Sequence, residues 1–254
     1  MGISASTHLD KVHSRFLETK EVLTRVMPKG VSRGDSPIER EGRTICEVGP
    51  VLAPRRMGLQ LIRVAGVVAR GCEQNGGLLV HGALVEKDCM GVILAGPGGV
   101  GKSTAARRLP SSWRVLSDDT CLIVRSPQGE YWAHPWPTLS RIRLGDLGGT
   151  WDVGKAVPLR MICMLAQHEA DQLELLSRNQ AVSELVDVSG QTRVFMTGEM
   201  DESVARRVNL QRFHNTVAMA RKLPIYRLHI SLTGRFWERI EELLSANSPC
   251  GDKG

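Results

Sequence analysis

The 254-residue sequence predicts an α/β fold in which helices pack on one mixed sheet. Three observations carry that expectation. From about Thr44 onward, short apolar runs of strand-like pattern interleave with segments of helical period. One such run, Gly91 to Ala95, feeds a glycine-rich loop that opens directly into a helix. Another, Leu159 to Ala166, is nearly all apolar and short enough for a fully buried strand.

Composition bounds the rest. Hydrophobic residues make up 42% and charged residues 24%, which suits a globular chain and excludes a disordered or fibrous one. Aromatics are only 4%, so the core must rest on Leu, Val, Ile, Met and Ala. No run approaches the roughly 18 apolar residues of a membrane span. Met1 to Asp10 lacks a secretory pattern, so a cytoplasmic protein is expected. Met1 to Ser6 fits the loose myristoylation pattern, but no second membrane signal accompanies it. The six cysteines form no Cys-x-x-Cys pair, and Cys89, Cys121 and Cys163 lie in or beside apolar runs, which predicts buried reduced thiols. The net charge of +6 comes from dispersed pairs such as Arg55-Arg56 and Arg206-Arg207. With few aromatics to stack bases, it fits an anionic substrate or solubility better than nucleic acid.

Residues 7 to 27 place Leu9, Val12, Phe16, Leu23 and Val26 at three- and four-residue steps, which predicts an amphipathic helix. The polar stretch from Pro28 to Arg43 reads as a linker, and residues 44–246 as a single domain before a polar tail over 247–254. Within it, Leu78 to Val85 and Gly91 to Ala95 read as strands about the turn Glu86-Lys87-Asp88. The helix after the glycine-rich loop cannot run unbroken past Pro110. Trp113 to Ser117 and Cys121 to Ser126 are strand-like, and Pro127 to Glu130 is turn chemistry leading to Tyr131 and Trp132. Ser177-Arg178-Asn179-Gln180 has capping-box form. A helix is expected from about Glu202 to Lys222, with Leu210, Phe213, Val217 and Ala220 on one, apolar face. A strand then alternates Tyr226, Leu228 and Ile230 with Arg227 and His229, and a last helix gathers Phe236, Ile240, Leu243 and Leu244.

The strongest chemical signal is Gly96-Pro97-Gly98-Gly99-Val100-Gly101-Lys102-Ser103, followed by Thr104, a full match to the phosphate-binding P-loop with the strand and helix it requires. Glycines let the backbone curl so that successive N–H groups point at phosphate oxygens. Lys102 is expected to reach the β and γ phosphates and Ser103 to stand on Mg²⁺. The fold class is therefore read as a P-loop NTPase with a mixed sheet. Ser117-Asp118-Asp119 ends the next strand, which in an ordinary arrangement returns beside the P-loop strand. One carboxylate could hold Mg²⁺ and the other accept a proton from an attacking hydroxyl. On a regular strand only one of two adjacent acids points inward, a limit that a loop at the strand end would relax. His81 lies in the strand expected to pair with the P-loop strand; standing alone, a strand histidine is ordinarily structural.

The order His81-Gly82, strand, Gly96 to Thr104, short helix, strand, Asp118-Asp119 resembles the HPr kinase/phosphorylase family over about Leu78 to Arg125. Those are P-loop kinases with a phosphoenolpyruvate-carboxykinase-like core that phosphorylate a serine on a protein. The resemblance implies Asp118 as base, Ser103 and Asp119 on Mg²⁺, and His81 assisting the proton path. Ala133 to Thr138, Val157 to Leu165 and Leu223 to Leu228 are similar to the branch found in peptide-modification cassettes, of the SynChlorMet and lasso-peptide kinase type. The segment that supports the phosphorylase reaction has no counterpart here, and neither does the family's N-terminal domain in residues 1–77, so HPr is not the expected acceptor.

Arg141 and Arg143 could grip a phosphoryl group or an acidic substrate, or form an exposed basic strand face. His134 and Trp136, stiffened by Pro135 and Pro137, could line a cleft or simply pack. The expectation is an ATP- and Mg²⁺-dependent kinase acting on a Ser or Thr of a peptide or small protein. A nucleotide-dependent peptide carrier and a small-molecule kinase are the alternatives. Neither nucleic acid nor membrane is expected as a partner, and a homo-oligomer is left open.

Overall fold

The computed structural model describes residues 21–26, 38–40, 43–48, 65–136, 155–192 and 201–246. Its first strands, β1 (Glu21–Val26), β2 (Ile38–Arg40) and β3 (Arg43–Val48), form a three-stranded sheet in the order β1-β3-β2. The expected helix over residues 7–27 is therefore wrong at its end: residues 21–26 pair in parallel with 43–48. Half of that strand is β-branched (Val22, Thr24 and Val26), which favours the pleated conformation once a partner strand exists. Residues 38–40, expected as linker, pair with β3 antiparallel. Residues 1–20 lie outside the described residues.

The main sheet has eight strands. They are β4 (Leu78–Lys87), β5 (Met90–Ala95), β6 (Arg114–Ser117), β7 (Thr120–Arg125), β8 (Tyr131–Pro135), β9 (Val157–Gln167), β10 (Gln172–Leu175) and β11 (Ile225–Ile230). The order is β10-β11-β9-β5-β4-β7-β8, with β6 also on β4 and β8 returning to β9. The sheet is mixed, as expected: β9 pairs in parallel with β5 and β11, while the other pairings are antiparallel. β5 sits between β4 and β9 and all six of its residues are buried. The β4–β5 hairpin turns at Asp88-Cys89, both at positive φ, one residue later than expected. That turn leaves Cys89 exposed, against expectation, while Cys72, Cys121 and Cys163 are buried.

Among the described residues five helical segments cover the sheet: α1 (residues 65–74), α2 (Lys102–Arg108), α3 (Arg178–Gly190), α4 (Glu202–Lys222) and α5 (Trp237–Ala246). On one face Leu78, Val80, Ile93 and Ile162 pack with Leu185 and Val188 of α3 and Met219 of α4. On the other, Val92, Leu94 and Cys163 pack with Ala105 and Ala106 of α2 and Ile240 and Leu244 of α5. α1 closes a third cluster with Leu79, Leu122 and Trp136. α3 opens on the expected capping box, Ser177 N–H donating to Gln180 Oε1 at 3.0 Å.

α4 corrects a second expectation. It buries Arg212, Asn215, Thr216 and Met219 and leaves Leu210 and Phe213 exposed. The reason is a long-range polar anchor. Arg212 Nε donates to both carboxylate oxygens of Glu73 at 2.9 and 3.0 Å. Asn215 Nδ2 donates to the carbonyls of Glu73 and Gly77, so the helix is fixed to the end of α1 and the start of β4. Polar groups paired in this way can be buried without an unmet hydrogen bond on the backbone they cap.

Gly82 sets how closely β4 approaches β5. A Cβ there would stand 2.8 Å from Ile93 Cγ2 and 3.1 Å from the Leu94 carbonyl oxygen, and Ile93 is fully buried. Gly82→Ala is expected to destabilise the protein by about 1–3 kcal/mol, the usual cost of overpacking. Denaturant unfolding measures this directly, and an unchanged midpoint would show that the hairpin can spread.

Candidate functional site

One edge of the sheet collects the ends that matter. β5, β9 and β11 run parallel, so their C-terminal ends lie together. β4 runs against β5, and its pairing of Gly82 with Ala95 sets His81 beside the point where β5 becomes the glycine-rich loop. β6 is antiparallel to β4 and thus points the same way as β5. It pairs with β4 and not with β5, the place open to it in an ordinary P-loop arrangement, because β4 occupies that edge. The bend after β6, Asp118-Asp119, still reaches the same end of the sheet.

The loop itself is held in an unusual backbone path. Gly96, Gly99 and Gly101 take φ of 145°, 81° and 105°, a region that side-chain-bearing residues rarely enter. Pro97, Gly98 and Gly99 are exposed, whereas Lys102, the first residue of α2, is buried. Lys102 Nζ turns back and donates to the carbonyls of Gly96 at 3.0 Å and Pro97 at 2.9 Å. Burial holds its amine below the ordinary lysine value, and the nearby Asp119 carboxylate partly offsets this. The Ser103 hydroxyl donates to the Asp118 carbonyl at 3.3 Å, tying the start of α2 to the acidic bend. Val100 is half-buried and Thr104 is exposed at the outer side of α2.

The two aspartates have different surroundings, since the bend frees them from strand alternation. The Asp119 carbonyl accepts the Gly82 N–H at 2.9 Å, and its carboxylate stands 3.4 Å from His81 Nδ1. Thr120 Oγ1 also donates to Asp119 Oδ2 at 3.3 Å. Lys102, His81 and Asp119 therefore form one electrostatic group. Burial first, and then Lys102, pull the His81 imidazole below its ordinary value, while Asp119 pushes it up. The balance favours the neutral ring. With a carboxylate beside Nδ1, the proton of the neutral ring belongs on Nδ1 and the lone pair on Nε2.

The remaining expected site residues separate. His134 is buried in β8 and Trp136 packs against α1, so both serve the core. Arg141 and Arg143 lie outside the described residues. A region the sequence did not point out opens on the other side of the loop. It is a cleft of about 720 Å³ between Gly99, Val100, Thr104 and Arg108 and the ends of β9 and β11, with Gln167, His168, Glu169, Ser231 and Leu232. Only the parallel run of β5, β9 and β11, invisible without the pairing, could have indicated it.

Among the described residues no group of three His, Cys, Asp or Glu side chains could hold a metal unaided. No helix among them is long and apolar enough to cross a membrane. The His81 titration is a direct check on the site electrostatics. Followed by imidazole NMR with His81→Gln for assignment, the resonance is expected to titrate below the ordinary histidine value. Lys102→Met removes a lowering charge and should move it up; Asp119→Asn removes a raising charge and should move it further down. Equal midpoints in all three proteins would separate His81 from the other two residues.

None of the curated proteins matches the chain. Residues 44–245 match the model of the family described as SynChlorMet cassette protein ScmC, spanning the main sheet and the whole candidate site. The chain belongs to that cassette-protein family.

Proposed function

We propose that the protein is an HPr-kinase-like P-loop kinase that transfers the γ-phosphoryl group of ATP to a Ser or Thr hydroxyl of a peptide or small protein made in the same cassette. The observation that carries this reading is the gathering of Lys102, Ser103, His81 and the Asp118-Asp119 bend around the glycine-rich loop at one end of the sheet. Phosphoryl transfer needs positioning and charge neutralisation more than covalent help, and this set supplies both.

The loop amides would receive the β and γ phosphates, and Lys102 would exchange its two carbonyl partners for phosphate oxygens. Ser103 and one aspartate offer the hard oxygen donors that Mg²⁺ prefers, with phosphate and water completing its shell. Bound there, Mg²⁺ would neutralise charge developing on the phosphates. The acceptor oxygen would form its bond to the γ phosphorus as the bond to the β-phosphate oxygen breaks, and ADP would leave. The acceptor's proton would pass to a carboxylate. The family resemblance gives that role to Asp118. The contact with His81 favours Asp119, which leaves Asp118, whose backbone carbonyl accepts from Ser103, for the metal side.

The test is incubation of the purified protein with Mg-ATP and each small peptide encoded beside its gene, read by mass spectrometry. One added phosphoryl group on a Ser or Thr is expected. Lys102→Ala and Asp119→Asn should each lower kcat/KM by about 100-fold or more at unchanged melting temperature. A larger loss in Asp118→Asn than in Asp119→Asn would return the base to Asp118. ATP binding without transfer in any protein would leave a nucleotide-dependent carrier instead of a kinase.

A further inference from the structure

Three hydroxyl groups surround the acidic bend, and each has a different partner. Ser103 Oγ donates to the Asp118 carbonyl at 3.3 Å, and Ser117 Oγ donates across the bend to the Thr120 carbonyl at 2.8 Å. Thr120 Oγ1 donates to Asp119 Oδ2 at 3.3 Å. Of these three, only Thr120 reaches a carboxylate. We infer that Thr120 is a positioning residue: it holds one oxygen of the Asp119 carboxylate while His81 holds the other, so that the group stands ready to take the acceptor's proton. The inference rests on the kinase reading and adds to it the side chain that fixes the base.

The register of the sheet places Thr120 for this role. Thr120 is the first residue of β7 and lies directly opposite His81 of β4. Residues opposite one another in an antiparallel pair project from the same face, with Cβ atoms about 5 Å apart. The imidazole and the hydroxyl therefore stand side by side, and the carboxylate of the preceding residue spans them. His81 Nδ1 is 3.4 Å from Oδ1, and Thr120 Oγ1 is on Oδ2. A carboxylate turns easily about its last torsion. Held at one oxygen it would swing on that contact; held at both, its plane is set.

Thr120 is itself well anchored. It is 1% exposed, and its carbonyl accepts both the Ser117 hydroxyl and the Trp136 N–H, the latter at 3.3 Å. Branching at Cβ limits threonine to few rotamers, so a fixed backbone fixes the hydroxyl. The Asp119 side chain keeps 27% of its surface open, which leaves room for a substrate hydroxyl. Each carboxylate oxygen offers two lone-pair directions, so contacts with Thr120 and His81 leave one on each oxygen for that hydroxyl.

A buried hydroxyl needs a partner in any case, and Asp119 would satisfy Thr120 even in a purely structural pair. Substitution separates the two roles. Valine keeps the shape of threonine and needs no partner. Serine keeps the donor and loses a methyl group.

The experiment measures steady-state kinetics of the full-length wild type, Thr120→Val, Thr120→Ser, Asp119→Asn and the Thr120→Val/Asp119→Asn double variant. The substrates are Mg-ATP and the cassette-encoded peptide that wild type phosphorylates, and melting curves check that each fold is kept. Thr120→Val should lower kcat by about tenfold or more, the scale of a lost hydrogen bond to a charged group, with little change in the KM for ATP. Thr120→Ser should restore most of that loss. In the Asp119→Asn background, Thr120→Val should cause little further loss, because the two residues act as one unit. Wild-type kcat in Thr120→Val would overturn the inference and leave the contact structural. Equal losses in the valine and serine variants would overturn it by tracing the effect to packing. Losses that multiply in the double variant would do so by showing that Thr120 acts without Asp119. A Thr120→Val rate restored by excess Mg²⁺ would overturn it as well, since Asp119 would then serve the metal and not the proton. If wild type modified no peptide, the kinase reading itself would fall, and this inference with it.

Discussion

The structure depends on where β5 sits. A strand paired on both edges and buried on both faces cannot shift without breaking two ladders and two cores. Its last residue, Ala95, is therefore one of the best-fixed points in the molecule, and the glycine-rich loop begins at the next residue. Rigidity matters there because a loop with three residues at positive φ has little side-chain packing of its own beyond Val100 to hold its path. The strand before it and α2 after it supply the constraint, with Ala105 and Ala106 locked into the core under the loop.

Neighbouring strands carry that fixed point outward. On one edge, the missing side chain of Gly82 lets β4 come close, and its N–H holds the Asp119 carbonyl. His81 and the acidic bend are placed by the same few backbone contacts, so their mutual distance is set by the sheet and not by loop conformation. The electrostatics follow from this proximity. Burial disfavours charge on both Lys102 and His81, and the Asp119 carboxylate opposes burial for each. Removing the Asp119 charge would lower both the Lys102 and the His81 values, and removing the Lys102 charge would raise that of His81. Lys102 meanwhile spends its hydrogen bonds on two loop carbonyls, which hold its amine in place at the start of α2.

How much of this was legible in the sequence varies with the range of the contacts involved. The hairpin of β4 and β5, the loop, and the short helix ending before Pro110 were readable because turn residues, glycines and the break at proline act locally. The capping box at Ser177 was readable for the same reason. α4 was misread on its face, since its buried side is decided by Glu73, 139 residues away, and no periodicity within the helix reports a partner at that distance. The strand at residues 21–26 needed residues 43–48 to exist as a strand, and a helical stripe of apolar residues hid it. α1 and β10 carry weak local signals and went unpredicted. The candidate site was half legible: the residue types and their order were plain, but which aspartate meets His81 depends on a bend and a register that only the pairing of β4 with β5, β6 and β7 fixes.

The same pairing gives the site its asymmetry. His81, Asp118 and Asp119 are held by β4, β6 and β7, whereas the cleft is walled by the ends of β9 and β11 and by the loop that Arg108 ties to α2. The two flanks are joined through the loop and α2, and again through β8, which pairs with both β7 and β9. At the loop itself, β5 stands between them. Exposed apolar side chains also occur away from both flanks, at Leu210 and Phe213, where α4 turns its polar face inward to meet Glu73. The buried ion pair thus decides more than stability: by choosing which side of α4 faces the core, it decides which side the helix shows to its surroundings.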